Sequence, residues 1–199
     1  MSNTKHSFVR ITAALGLVFT IAAVSFAKTH SDSAFSSIKI KNFGQMDERF
    51  YRGAQPKEED YKALASLGIK TIIDLRDDPT SYEKRAAEAE GMRYVNIPMS
   101  DSSYPKEEQI QAFLKLVGDP ATGKFFAHCA GGRHRTGVVG AVYRFTVNHW
   151  SYDQAYAEMK DYDFYTSWGH GDMKKYVQDY SRRTQTDAAG AAISAISNR

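Results

Sequence analysis

Cysteine is nearly absent from this 199-residue sequence, which contains a single one, and the formal net charge is only +3. One thiol excludes an intramolecular disulfide and any metal site built from several cysteines. The small net charge excludes the strongly basic surface of a typical nucleic-acid-binding protein. With 42% hydrophobic and 25% charged residues, the composition is that of a globular protein, and it excludes collagens, long coiled coils and disordered charged tails.

Acidic residues are missing from the N-terminal region, where none occurs before Asp32. Lys5 and Arg10 precede an uncharged apolar run over residues 11–27, which ends in small residues at Ser25 and Ala27. A basic leader, a short apolar run and a small-x-small ending are typical of a secretory signal peptide. The sequence therefore predicts a signal peptide over residues 1–27 and a periplasmic or secreted protein. An uncleaved membrane anchor stays open as the alternative, since seventeen residues lie at the lower limit for spanning a bilayer.

Most of the surplus positive charge belongs to this leader. Without residues 1–27, the chain has 24 basic and 23 acidic residues and a net charge of +1. Residues 28–37 are small and polar and are predicted to form a linker. We expect one domain over residues 38–183 and a flexible, Ala- and Ser-rich tail over residues 184–199.

Strand and helix patterns alternate along the predicted domain. Apolar β-branched runs indicate buried strands, and helical patterns are bounded by proline or acidic starts and glycine stops. Such alternation predicts an α/β fold with a central, mostly parallel sheet flanked by helices. The expected strands lie at 38–43, 50–52, 69–75, 92–98 and 124–128, and the expected helices at 56–68, 81–90, 106–117, 136–148, 151–161 and 170–182.

The most informative segment is the turn between the last expected strand and the following helix, with the sequence HCAGGRHRT from His128 to Thr136. Successive backbone N–H groups in a turn of small residues can form an anion-binding nest, and the helix N-terminus adds partial positive charge. Arg135 can fork onto two phosphate oxygens. The same field favours the thiolate of Cys129, which would attack a bound phosphoryl group.

This segment resembles the signature of the cysteine-dependent tyrosine and dual-specificity phosphatases, H-C-x5-R-[ST]. His128, Cys129, Arg135 and Thr136 match it. The phrases YRGAQP at 51–56 and IDLRDD at 73–78 resemble small bacterial and dual-specificity-like members more loosely. The resemblance implies a dual-specificity phosphatase-like fold, a hydrolase of phosphoric monoesters, and no metal or other cofactor.

The resemblance also implies a role for each matched residue. Cys129 would form the cysteinyl-phosphate intermediate, and Arg135 would bind the phosphoryl group through both steps. Thr136 would support the departing thiolate, and His128 would tune Cys129 and brace the loop. The remaining loop residues would bind substrate, and these are Ala130, Gly131, Gly132, Arg133 and His134.

The reaction also needs a carboxylic acid to protonate the leaving oxygen. Relatives place an aspartate on a loop about 30 residues before the cysteine, and Asp101 stands 28 residues before Cys129. We therefore predict Asp101 as the general acid. Asp163 and Asp172 are weaker candidates, and a solvated loop position remains the alternative for Asp101.

The expected substrate follows from Arg133 and His134, which are basic or potentially basic, whereas tyrosine-specific relatives usually carry small or apolar residues there. Extra cations suit a substrate with extra phosphates. An exported location, where ATP is lacking, also favours a scavenged metabolite over phosphotyrosine. We therefore expect an inositol phosphate such as phytate. A protein tyrosine or dual-specificity phosphatase acting on a phosphoprotein, and a non-catalytic phosphate-binding module, remain alternatives. No nucleic-acid partner is expected, and a membrane is expected only if the leader is uncleaved.

Overall fold

The computed structural model of the protein describes Phe35 and residues 38–197. The predicted signal peptide over 1–27 and most of the predicted linker over 28–37 lie outside the described residues. Among the helices that the structure describes, none has the length and apolarity needed to cross a membrane.

A five-stranded sheet forms the centre of the domain, in the order β1-β2-β5-β3-β4. Strand β1 pairs antiparallel to β2, and every other neighbouring pair is parallel. The predicted α/β fold with a mostly parallel sheet is therefore confirmed. The strands are β1 Gly44–Gln45, β2 Phe50–Ala54, β3 Ile69–Arg76, β4 Arg93–Met99 and β5 Lys124–Cys129.

Six α-helices cover the two faces of the sheet in the described part of the chain. Neighbouring strand residues point to opposite faces, so Phe125 packs with α3 to α6 whereas Phe126 packs with α1 and α2. Ile73 and Ile72 divide between the two cores in the same way. The helices are α1 Tyr61–Ser66, α2 Glu83–Ala89, α3 Glu107–Gly118, α4 His134–Thr146, α5 Tyr152–Asp161 and α6 Gly171–Ser197.

Two predicted elements differ from the structure. The strand expected at 38–43 does not form; Asn42 adopts a left-handed backbone with φ of 54°, which interrupts an extended strand, and pairing with β2 begins only at Gly44. The helix expected over 170–182 continues to Ser197 as α6, through most of the predicted tail. Alanine is the best helix former, which explains why the Ala-rich segment extends the helix.

The parallel strands bring four chain segments together at one edge of the sheet. Strands β2, β5, β3 and β4 all run in the same direction, so their carboxyl ends share this edge. Cys129 ends β5 in the middle of the sheet, and Gln55, Asp77 and Asp101 follow the ends of β2, β3 and β4. Crevices at the carboxyl ends of parallel strands are the usual ligand sites of such sheets.

Candidate active site

The loop from Cys129 to Arg133 connects β5 to α4, as the sequence predicts. Three successive carbonyl groups of this loop accept hydrogen bonds from other parts of the chain. Gln55 N–H donates to Ala130 O at 3.3 Å, Asn42 Nδ2 to Gly131 O at 2.8 Å, and Arg52 Nη2 to Gly132 O at 2.7 Å. In a trans peptide the N–H points opposite to the carbonyl, so the N–H groups of residues 131–133 face away from these donors. This arrangement is the anion nest expected from the sequence.

Gly132 is required where it stands. Its backbone is left-handed, with φ of 64°, and a Cβ atom there would lie 2.4 Å from the carbonyl carbon of Gly53. No side chain fits between the loop and strand β2. The close approach also brings the Gly132 carbonyl to the guanidinium of Arg52.

Cys129 lies beneath this loop and is buried. Burial alone would raise the pKa of its thiol, but hydrogen bonds from the Thr136 hydroxyl and backbone and the charge of Arg135 outweigh it, so the pKa is lowered. The structure thus places Thr136 and Arg135 where a thiolate needs them.

Arg135 is held from the side opposite the loop. Its Nη1 lies 2.7 Å from Asp77 Oδ1 and donates to Met99 O at 3.1 Å. The guanidinium is buried while Asp77 is half exposed, so the carboxylate orients the arginine without removing it from the site. Asp77 is not among the site residues predicted from the sequence, although its position directly after a buried parallel strand is a usable signal.

His128 belongs to a buried pair that the sequence did not indicate. Its Nε2 lies 2.7 Å from Glu83 Oε1, and both side chains are fully buried. Burial alone would lower the pKa of His128, but the contact with Glu83 outweighs it and the pKa is raised. Burial likewise would raise the pKa of Glu83, and the contact with His128 lowers it. The contact with Glu83 therefore favours the charged form of His128, the residue directly before Cys129.

Asp74 joins this pair. One ligand atom each of Asp74, Glu83 and His128 lies within 4.8 Å of the others, a spacing that could hold a metal ion. Asp74 accepts hydrogen bonds from Tyr94 Oη and the Arg76 N–H, and Glu83 contacts His128. The cluster therefore consists of one buried ion pair, His128 with Glu83, and a third acidic side chain beside it.

Arg52 supports the loop from below. It is almost fully buried, its guanidinium stacks 4.0 Å from the centre of the Tyr162 ring, and burial lowers its pKa to about 10. It remains charged at neutral pH. Through its hydrogen bond to the Gly132 carbonyl, Arg52 binds the back of the loop.

His134 does not supply the positive charge expected of it. Its ring is buried between Phe164 and Tyr165 and stacks on His170 at 3.5 Å. Burial, with the neighbouring His170 and Arg133, lowers its pKa to about 4. His134 is therefore neutral at physiological pH. Of the two predicted cations only Arg133 therefore remains, and it is partly exposed.

Asp101 lies on the exposed loop after β4, at the sheet edge that carries Cys129. Its backbone carbonyl accepts a hydrogen bond from His170 Nδ1 at 2.8 Å. The Ser100 hydroxyl accepts from the N–H groups of Ser102 and Ser103 and shapes the same turn. The position suits a group that must reach the leaving oxygen. Asp163 instead lies on the segment after α5, 4.0 Å from Lys41.

Comparison with known proteins agrees with this site. A family model described as a DSP-PTPase phosphatase fused to NAD+ kinase matches residues 22–177. The chain is 27% identical over 153 residues to the dual specificity protein phosphatase TpbA of Pseudomonas aeruginosa, across 76% of this chain and 66% of the relative. It is 28% identical over 139 residues to the inositol diphosphatase DSP2 of Oryza sativa, across 63% of this chain and 61% of the relative. The chain thus spans less than two thirds of the length of these relatives.

A solved structure shares the fold. The catalytic core of the PP-IP phosphatase SIW14 from S. cerevisiae superposes with a TM-score of 0.62 at 22% identity, across 77% of this chain and 93% of that one. At that identity the likeness concerns the fold alone. It agrees with the dual-specificity phosphatase-like architecture predicted from the sequence.

The buried pair gives a stability prediction. In Glu83→Gln, His128 loses its carboxylate partner. We expect the free energy of unfolding to fall by about 3 kcal/mol. This value is near the lower limit for a broken buried ion pair, because His128 can release its proton. Because the pKa of His128 is raised on folding, its contribution to stability is complete below about pH 6.5, its pKa in the unfolded chain. Because the pKa of Glu83 is lowered, its contribution is complete above about pH 4.3, its pKa in the unfolded chain. Denaturant unfolding should therefore show the largest difference from the wild type near pH 5 to 6.

The matched control is Glu88→Gln, on the exposed face of the same helix, where the carboxylate pairs only with Lys84 at the surface. In Glu83→Gln the alkylation of Cys129 by iodoacetamide should also shift to higher pH, because the thiolate loses a neighbouring positive charge. An unfolding difference that does not vary between pH 4 and 8 would contradict a charged pair.

Proposed function

We propose that this chain, which belongs to the cysteine-dependent dual-specificity phosphatase family, is an exported phosphomonoesterase that acts through a cysteinyl-phosphate intermediate. The observation that carries the proposal is the loop whose carbonyls are held away from the thiol by three donors while Arg135 and Thr136 lie beside Cys129. Export is supported by the basic leader and the uncharged run over 11–27.

The first step is attack of the Cys129 thiolate on phosphorus, in line with the departing ester oxygen. The N–H groups of the loop and the guanidinium of Arg135 bind the non-bridging oxygens, whose charge they stabilise in the transition state. Asp101 gives its proton to the leaving oxygen as the P–O bond breaks.

The second step releases phosphate. Asp101, now a carboxylate, accepts a proton from water as the water oxygen attacks phosphorus and the P–S bond breaks. The thiolate leaves toward the hydrogen bonds of Thr136, and the charged pair of His128 and Glu83 limits the cost of returning a negative charge to a buried position.

The proposed substrate is a polyphosphorylated small molecule of the inositol phosphate class, including phytate and inositol diphosphates. Arg133 supports this choice, because among the described residues no carboxylate lies within ion-pair distance of it and its buried Nε has no hydrogen-bond partner. The charge is therefore available to a second phosphate. The printed activity of the Oryza sativa relative, an inositol diphosphatase, points to the same class. The relative named as a dual specificity protein phosphatase supports a phosphoprotein as the second candidate.

Replacing the nucleophile tests the reaction class. Cys129→Ser should lose at least 10⁴-fold of the hydrolysis of p-nitrophenyl phosphate, because a serine hydroxyl in this site has no base to activate it. Phosphate binding, measured by calorimetry, should survive and serves as the control for folding. Retained turnover in the variant would reject the cysteinyl-phosphate route. A wild-type protein that binds phosphate but hydrolyses no ester would instead identify a non-catalytic binding module.

The general acid is tested by leaving group. Asp101→Asn should slow the hydrolysis of phenyl phosphate, whose leaving group is poor, by about 10² to 10⁴-fold. It should barely affect the hydrolysis of 2,4-dinitrophenyl phosphate, whose leaving group needs no proton. Asp163→Asn is the matched control and should behave like the wild type on both esters. An unchanged rate of Asp101→Asn on phenyl phosphate would reject the assignment and direct attention to Asp77, the carboxylate at Arg135.

The substrate class is tested by a panel of inositol hexakisphosphate, phosphoinositides, a phosphotyrosine peptide and p-nitrophenyl phosphate. Arg133→Ala should raise KM for inositol hexakisphosphate on the order of tenfold, the value of one charge-assisted hydrogen bond, and leave KM for p-nitrophenyl phosphate nearly unchanged. Arg85→Ala, an exposed arginine on α2, is the control. Equal effects on both substrates, or faster turnover of the peptide by the wild type, would favour the phosphoprotein.

A further inference from the structure

The segment between α5 and α6, residues 162–170, contacts both loops of the candidate site. Its backbone turns through left-handed conformations at Asp163, Trp168 and Gly169, with φ of 61°, 62° and 89°. These turns bring His170, the last residue before α6, against the loop after β4. Gly169 also lies against the loop after β4, since a Cβ atom built on it would be 3.7 Å from Cβ of Ser102.

The ring of His170 makes one hydrogen bond in the described part of the chain, and its partner is the residue proposed as the general acid. His170 Nδ1 lies 2.8 Å from the carbonyl oxygen of Asp101, which is 69 positions earlier in the chain. A carbonyl oxygen only accepts, so Nδ1 carries the hydrogen. The bond fixes the backbone from which the Asp101 carboxylate extends. That carboxylate makes no hydrogen bond or ion pair with other residues in the described part of the chain, so its position depends on its backbone.

The face of the His170 ring contacts the first residue of α4, directly after the cysteine loop. His170 stacks on His134 with ring centres 3.5 Å apart and planes 13° apart. Tyr165 packs its edge against both rings, at 4.4 and 5.3 Å. His134 immediately precedes Arg135 and is neutral, with a pKa of about 4, so it does not repel His170 by charge. The stack therefore ties the acid-bearing loop to the start of α4.

We propose that His170 is a positioning residue that sets the distance between the Asp101 carboxylate and the phosphate bound over Cys129. The proposal rests on the assignment of Asp101 as the general acid. Proton transfer requires the acid to approach within hydrogen-bonding distance of the leaving oxygen, and displacement by about 1 Å can cost on the order of 10²-fold in rate. The hydrogen bond uses the edge of the imidazole and the stack uses its face, so one residue links the loop after β4 to the start of α4.

The test compares His170→Ala with His170→Asn on the full chain. The Asn amide Nδ2 can occupy the place of Nδ1 and donate to the Asp101 carbonyl, whereas Ala can neither donate nor stack. We expect His170→Ala to lower kcat for phenyl phosphate on the order of 10²-fold and to leave 2,4-dinitrophenyl phosphate within about twofold. His170→Asn should recover most of the loss. Alkylation of Cys129 by iodoacetamide should be unchanged in both variants, because the nucleophile is untouched.

His149→Ala, in the turn beyond the far end of α4, is the control for losing a histidine and should leave both rates unchanged. Asp101→Asn separates the two proposals. If Asp101→Asn is selective for the poor leaving group but His170→Ala is not, the positioning role is overturned while the acid stands. If Asp101→Asn itself has no selective effect, the acid assignment has failed and the positioning role fails with it. A His170→Ala variant that slows both esters equally and alkylates more slowly would show a general structural role and would also overturn the proposal.

Discussion

The orientation of three peptide groups in the loop after β5 is the constraint on which the rest of the site depends. A dianionic phosphate can bind there only if the N–H groups point toward it, so the carbonyls on the other side need partners of their own. Asn42, Arg52 and the Gln55 N–H supply these hydrogen bonds. Arg52 lies in β2, the strand that pairs with β5, Gln55 directly follows β2, and Asn42 precedes β1, which pairs with β2. The antiparallel turn from 42 to 50 and the sheet order thus serve the loop directly.

Charge beneath the loop follows from the same requirement. A buried thiolate is costly unless positive charge compensates for it, and a buried cation is costly without a partner. Arg52 is paired with a carbonyl and an aromatic face, and His128 is paired with Glu83. Each cation therefore has a partner other than Cys129.

A local pattern is enough to predict the strand, turn and helix around Cys129, whereas contacts between residues distant in the sequence cannot be predicted in this way. Cys129, Arg135 and Thr136 lie within eight positions, and the strand, turn and helix around them follow from local propensities. Glu83 reaches His128 across 45 positions, and Asn42 reaches Gly131 across 89. Nothing beside Glu83 or Asn42 in the sequence marks them. His134 shows the reverse case: its residue type suggested a cation, but packing against Phe164, Tyr165 and His170 makes it neutral.

The two loops of the site are held in different ways, and the difference fits their tasks. Buried donors fix the cysteine loop, where the phosphoryl group must stay in one place through both steps. The loop that carries Asp101 lies at the surface and is shaped by Ser100 hydrogen bonds and by His170. Exposed hydrogen bonds open more easily than buried ones, so this loop can adjust the position of the Asp101 carboxylate. Such adjustment suits an acid that first gives a proton to an ester oxygen and then takes one from a water molecule in the same place.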